Sequence, residues 1–85
     1  MARKWYKVKV RKVQPHLSYG FSRNSHCYAA ASNDEGMVIV YNGGLADRRL
    51  TREQAQDCLS YVSKTPLTGR TAERIERQFC FNLTR

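Results

Sequence analysis

Lys7, Lys9 and Arg11 recur at every second position of the segment Trp5-Tyr6-Lys7-Val8-Lys9-Val10-Arg11, and Trp5 shares their parity. Cations spaced along an extended strand suit a phosphate backbone, and an indole on the same face would let an unstacked base rest on it. With their neighbours, Arg3, Lys4, Trp5, Lys7, Lys9, Arg11 and Lys12 form the first candidate surface for nucleic acid or another anionic partner. The competing reading folds Trp5 over the sheet edge into the core, where a lone tryptophan is often found.

A secondary anion site is suggested by arginines beside two predicted helix starts, Arg48, Arg49 and Arg52 at the first and Arg70 at the second. The free N–H groups of a helix start are already positive, so arginines there cost stability unless an anion binds between them. Asp47, Glu53 and Asp57 lie close enough in sequence to pair with the first group instead. Tyr19-Gly20-Phe21 matches the aromatic-glycine-aromatic centre of the RNA-recognition-motif signature, but it lacks the basic-glycine lead and the strand and helix order of that fold. Core packing is the better reading of those aromatics.

The charge sharpens the first candidate. The 85-residue chain carries 15 Lys and Arg against 7 Asp and Glu, a formal net charge of +8. Residues 1–33 hold Arg3, Lys4, Lys7, Lys9, Arg11, Lys12 and Arg23 and no acid at all, so most of the net charge belongs to the first third. That asymmetry points to a surface that meets something anionic. Most of the cations are arginine, whose planar fork pairs bidentately with phosphate and carboxylate alike.

Catalysis and metal binding find little support. No G-x-S-x-G, G-x-x-x-x-G-K or H-E-x-x-H spacing occurs, and Asp34 and Glu35 sit in a turn. Cys27, Cys58 and Cys80 are odd in number and far apart, which predicts reduced core thiols, no metal, and a cytoplasmic setting. The expectation is a non-enzymatic protein with no cofactor. The longest apolar run, Met37 to Tyr41, is far too short to span a membrane, and the basic N-terminus leads into no apolar stretch of the kind a signal peptide has.

The elements that must position these residues follow from periodicity. Alternation from Trp5 to Val13 predicts a strand with Tyr6, Val8 and Val10 on one side and the cations on the other. A turn at Gln14-Pro15, a second strand over Leu17, Tyr19 and Phe21, and a third from His26 to Ser32 follow. After the turn Asn33-Asp34-Glu35-Gly36, the β-branched run Met37-Val38-Ile39-Val40-Tyr41 reads as the central strand, and Asn42-Gly43-Gly44 as a tight hairpin returning through a short edge strand, Leu45 to Arg49.

Thr51 with Gln54 three residues on is a capping box, and Ala55, Cys58, Leu59 and Val62 continue at helical spacing until Pro66. Thr71 can cap a second helix with Ala72, Ile75 and Phe79 inward and a Glu73/Arg77 pair outside. The tail from Phe79 to Thr84 returns to period two and reads as a last strand. The whole predicts one small α+β domain over 1–85, with strands and turns mainly in 1–50 and two helices and a last strand in 51–85. Its architecture is an antiparallel sheet of three to five strands with two C-terminal helices packed on one face, leaving the basic face open.

Two function classes are consistent with this. The leading one is a small basic module binding nucleic acid through the exposed strand face. The alternative is a protein-docking inhibitor that covers an acidic or nucleic-acid-binding surface of a partner protein. In size and in lacking a catalytic constellation the chain is similar to phage-encoded inhibitors of bacterial defence, the anti-CRISPR proteins among them, a likeness carried by no motif. An edge strand also offers a route to a homodimer.

Overall fold

The computed structural model describes residues 3–17, 20–32, 36–43 and 47–83, and five strands and two helices are placed there. They are β1 (Tyr6–Val10), β2 (His26–Ala31), β3 (Met37–Tyr41), β4 (Asp47–Thr51), α1 (Arg52–Cys58), β5 (Leu59–Tyr61) and α2 (Gly69–Leu83). The strands form one antiparallel sheet in the order β4-β3-β2-β1-β5. This is the expected α+β class. Tyr19, the turn residues Asn33, Asp34 and Glu35, and Gly44, Leu45 and Ala46 lie outside the described residues.

The helices do not share a face. Register pairs Val8 with Cys27, Ala29 with Val40 and Val38 with Leu50, so these residues line one side of the sheet. Ala55 and Cys58 of α1 join that cluster, together with Leu17 and Phe21 from the connection between β1 and β2. The opposite side carries Trp5, Ala30, Ile39 and Tyr41, and there α2 packs through Ile75 and Phe79. A strand that reads Val-Ile-Val-Tyr is apolar on both parities, and each parity needs its own cover. Both Ala29 and Ala30 are buried for the same reason.

Several local elements differ from expectation. The third of the five strands is β2, with its Ala29-Ala30-Ala31 run, and β3 lies between it and the β4 edge. Leu17 and Phe21 are buried, but Pro15–Leu17 forms a 3-10 turn and no second strand runs through them; Asn24 at φ 70° turns the chain back into β2. The helix begun by the capping box ends at Cys58, several residues short of the expected stop. The chain then extends as β5 and pairs Val10 with Leu59 and Val8 with Tyr61. Arg11 N donates to Cys58 O at 2.7 Å and Val62 N to Lys7 O at 2.9 Å. Without that pairing β1 would be an open edge with its amides unmatched, and this outweighs the helical propensity of three residues.

From Phe79 to Leu83 the tail is helix and not strand, and Thr84 lies outside the described residues. Continuing α2 puts Ile75 and Phe79 one turn apart on the buried side, each 1% exposed, and turns Phe81 outward at 63%. Gly69 opens this helix at φ +66°, a left-handed conformation that glycine adopts without strain. Among the described residues no helix is long and apolar enough to cross a membrane.

Candidate functional site

Trp5 is fully buried, and it anchors the α2 side of the core. Its ring meets Phe79 edge-on at 5.4 Å and Tyr41 at 6.1 Å, while Tyr41 and Phe79 meet at 5.6 Å. Aromatic trios at these separations gain from both burial and quadrupole geometry. The indole therefore has no surface to offer a base, which corrects its place in the basic strand face. Parity put Trp5 on the same side as Lys7 and Lys9, as expected, but α2 lies over that part of the sheet.

Glu76 of α2 ties the N-terminal segment down. Its carboxylate accepts from Trp5 Nε1 at 3.1 Å, from the Arg3 backbone N at 3.1 Å, from Arg3 Nη1 at 2.5 Å and from Cys80 Sγ at 3.0 Å. The Arg3 guanidinium also lies over the Phe79 ring at 5.1 Å. Burial pushes the Glu76 carboxyl up, but donation from Cys80, Trp5 and Arg3 and the Arg3 charge outweigh it, and the group is held below its ordinary range. The same hydrogen bond, burial and the Glu76 charge together raise the Cys80 thiol. Arg3 is thus a structural residue.

The other predicted cations divide. Arg11 Nη2 donates to the carbonyls of Gln56 and Asp57 at 2.5 and 3.0 Å, where a guanidinium satisfies the open C-terminal end of α1. Lys12 pairs with Asp57 at 2.9 Å on the surface. Lys4, Lys7 and Lys9 are exposed, and Lys7 and Lys9 sit opposite Tyr28 and His26 on the α2 side of the sheet. Of the seven residues first grouped together, these three retain cationic heads with no ion pair or hydrogen bond among the described residues.

The secondary anion site does not assemble. Arg48 and Arg49 alternate along β4, so Arg48 faces the α1 side, opposite Val40, and Arg49 the α2 side, opposite Ile39. Arg48 Nη1 donates to Asp47 O at 2.7 Å. Arg52 opens α1 and borders an apolar groove of about 280 Å³ floored by Ala31, Val38 and Ala55 and walled by Tyr6 and Tyr61. Tyr6 and Tyr61 meet edge-on at 5.5 Å. Arg70 belongs to α2, on the other side of the molecule's sheet.

Arg70 has neighbours outside the expected anion site. Arg70, Arg74 and Arg77 lie at i, i+4 and i+7 on α2, on the side opposite Ile75 and Phe79, and all three are exposed. They line a shallow depression of about 380 Å³ with Thr71 and Glu73. Glu73 and Arg77 are both exposed, and no ion pair joins them, unlike the expected i,i+4 pair. The three guanidiniums make no hydrogen bond or ion pair among the described residues. The i, i+4, i+7 spacing is present in the sequence, but only the helical course of residues 69–83 puts Arg70, Arg74 and Arg77 in one row.

Cys27 and Cys58 are buried cysteines and Cys80 is exposed; burial pushes the Cys27 thiol up to about 12. Comparison with known proteins returns no match to this chain, whether against family models, curated proteins or solved structures.

Proposed function

We propose that this protein binds the phosphate backbone of nucleic acid through the side of the sheet that carries α2. The observation that carries the reading is the row Arg70, Arg74 and Arg77, three unpaired guanidiniums on one outward helix face, on the same side of the sheet as Lys7 and Lys9. One uncompensated acid, Glu73, lies beside them, because Glu76 is engaged by Arg3. Arginine left unpaired on a helix face is poised for charge-assisted bidentate bonds to phosphate. The reading involves no catalytic step and no cofactor, and it carries a cytoplasmic setting with it, where thiols stay reduced.

Anisotropy titration of a labelled oligonucleotide with the purified protein, repeated across a salt series, tests this. Two to five phosphate contacts, by Lys7 and Lys9 and by as many of Arg70, Arg74 and Arg77 as lie on the backbone, give a slope of log K against log salt of about −2 to −5. Lys7→Glu with Lys9→Glu lowers affinity at least tenfold with the fold unchanged. No binding to any oligonucleotide at low salt removes the proposal.

A second reading draws on Phe81, which is 63% exposed and extends the arginine row at i+11. Arginine beside an exposed aromatic is the composition of a protein-docking hot spot, as an inhibitor covering an acidic partner surface would need. One stoichiometric protein partner that survives nuclease treatment favours this reading over the first.

A further inference from the structure

We infer that the outward ridge of α2 seats in the major groove of duplex DNA, in preference to duplex RNA or a single strand. This rests on the nucleic-acid reading above and narrows it to one partner.

The shape of the surface carries the choice. The 15 residues of α2 extend roughly 22 Å at 1.5 Å per residue, and the helix lies on the sheet through Ile75 and Phe79. Its opposite face, with Arg70, Arg74 and Arg77, therefore stands about one helix diameter, roughly 10 Å, above the strand surface where Lys7 and Lys9 lie. The binding side is a ridge with cations on its crest, around the shallow depression they line, and more cations at its foot. The B-form major groove is about 12 Å wide and 8.5 Å deep, which admits one helix and brings the bordering phosphates down beside it.

Each part then has a separate role. The crest arginines reach base edges, where the guanidinium fork matches the O6 and N7 acceptors of guanine. Arg70 and Arg77 are about 10 Å apart along the axis, at seven rises of 1.5 Å, so the row spans about three base-pair steps. Lys7 and Lys9 contact backbone, which positions the protein without reading sequence.

The alternatives lack a matching feature. The A-form RNA major groove is deep and narrow, so a ridge carried on a sheet cannot enter it. Single strands are held by stacking successive bases on a platform of exposed aromatic faces, and the aromatic cluster on this side of the sheet is closed, with Trp5 0%, Tyr41 1% and Phe79 1% exposed; Phe81, 63% exposed in line with the arginine row, is one ring and no platform.

The test uses the full chain with a labelled DNA duplex of about two helical turns, an RNA duplex of the same sequence, and each DNA strand alone. Anisotropy is read from about 50 to 200 mM salt, and methylation of guanine N7 by dimethyl sulfate is followed in the DNA complex. The expected result is at least tenfold tighter binding to the DNA duplex and protection of N7. The triple variant R70A, R74A, R77A loses that protection and weakens binding at least tenfold, with circular dichroism unchanged. Should the triple variant lose its helical signal, the single variants carry the test, each weakening binding and N7 protection. RNA duplex or single strand bound as tightly as DNA duplex, or an unprotected N7, would each overturn the groove assignment while leaving backbone binding standing; arginine variants that bind as wild type would overturn the groove assignment and the reading it rests on. Absence of binding to all of these nucleic acids would overturn both.

Discussion

Removing the Glu76 charge should loosen the attachment of the N-terminal segment to α2, and the size of the effect follows from the donors that converge on this carboxylate. It accepts from Trp5 Nε1, the Arg3 backbone N, Arg3 Nη1 and Cys80 Sγ, with side-chain exposures of 23% for Arg3 and 15% for Glu76. Glu76→Gln keeps an acceptor for the buried indole but removes charge assistance, at a cost of about 1 kcal/mol after allowing for residual solvent. Glu76→Ala leaves Trp5 Nε1 without its acceptor and releases Arg3, at about 3 kcal/mol. For a domain of this size each kcal/mol lowers Tm by about 4 to 8 °C, so Gln should cost roughly 6 °C and Ala more than twice that. Because the carboxyl titrates below its usual value of 4.5, its contribution is present above that pH and is lost as pH falls through the lower, folded value. The gap between wild type and Glu76→Gln, measured by thermal melts at stepped pH, should therefore be full at neutrality and close in acid. Equal melting of the two proteins at pH 7, or a gap that does not change with pH, refutes the clamp.

Four further outcomes follow. Trp5 emission should be blue-shifted, resistant to iodide quenching, and insensitive to added oligonucleotide, since the ring is fully buried; quenching by nucleic acid would contradict its placement. Thr51→Ala removes the side-chain half of the capping box, the Oγ1 that accepts from Gln54 N at 3.1 Å, keeps the backbone N that donates to Gln54 Oε1 at 2.9 Å, and should lower stability in urea titration by about 1 kcal/mol. In the native protein a thiol reagent should label Cys80 first, more slowly than an ordinary cysteine because Glu76 raises its pKa, while Cys27 and Cys58 react after unfolding. Labelling followed by mass spectrometry reads this, and Glu76→Gln should speed the Cys80 reaction. Gly69→Ala forces a side chain into φ +66° and should cost about 1 kcal/mol in the same urea titration, although the space around it is open.

What was legible along the chain was whatever depends on near neighbours. The alternation through Lys7, Val8, Lys9 and Val10 gave β1 and its two faces, the Thr51–Gln54 box gave the start of α1, and the β-branched run gave β3. The unbroken apolar character of that run also held the information that both faces of the sheet are covered. It was read as a mark of the central strand, when its physical content was burial on both parities.

Tertiary structure decided the rest, because the competing terms are set by partners distant in sequence. Leu59 to Tyr61 fit a helix by spacing and became β5 because β1 needed an edge partner. The tail fit a strand by period and stayed helical because Ile75 and Phe79 both reach the Trp5 cluster from one helix face. Arg3, Arg11 and Lys12 were equivalent to Lys7 and Lys9 as letters, and each was claimed by an acceptor more than 40 positions away. The sequence by itself determined that this protein is basic, α+β and acid-free in its first third. Only the folded chain decided which cations stay unpaired, because local periodicity can place a charge on a face but cannot say what packs over that face.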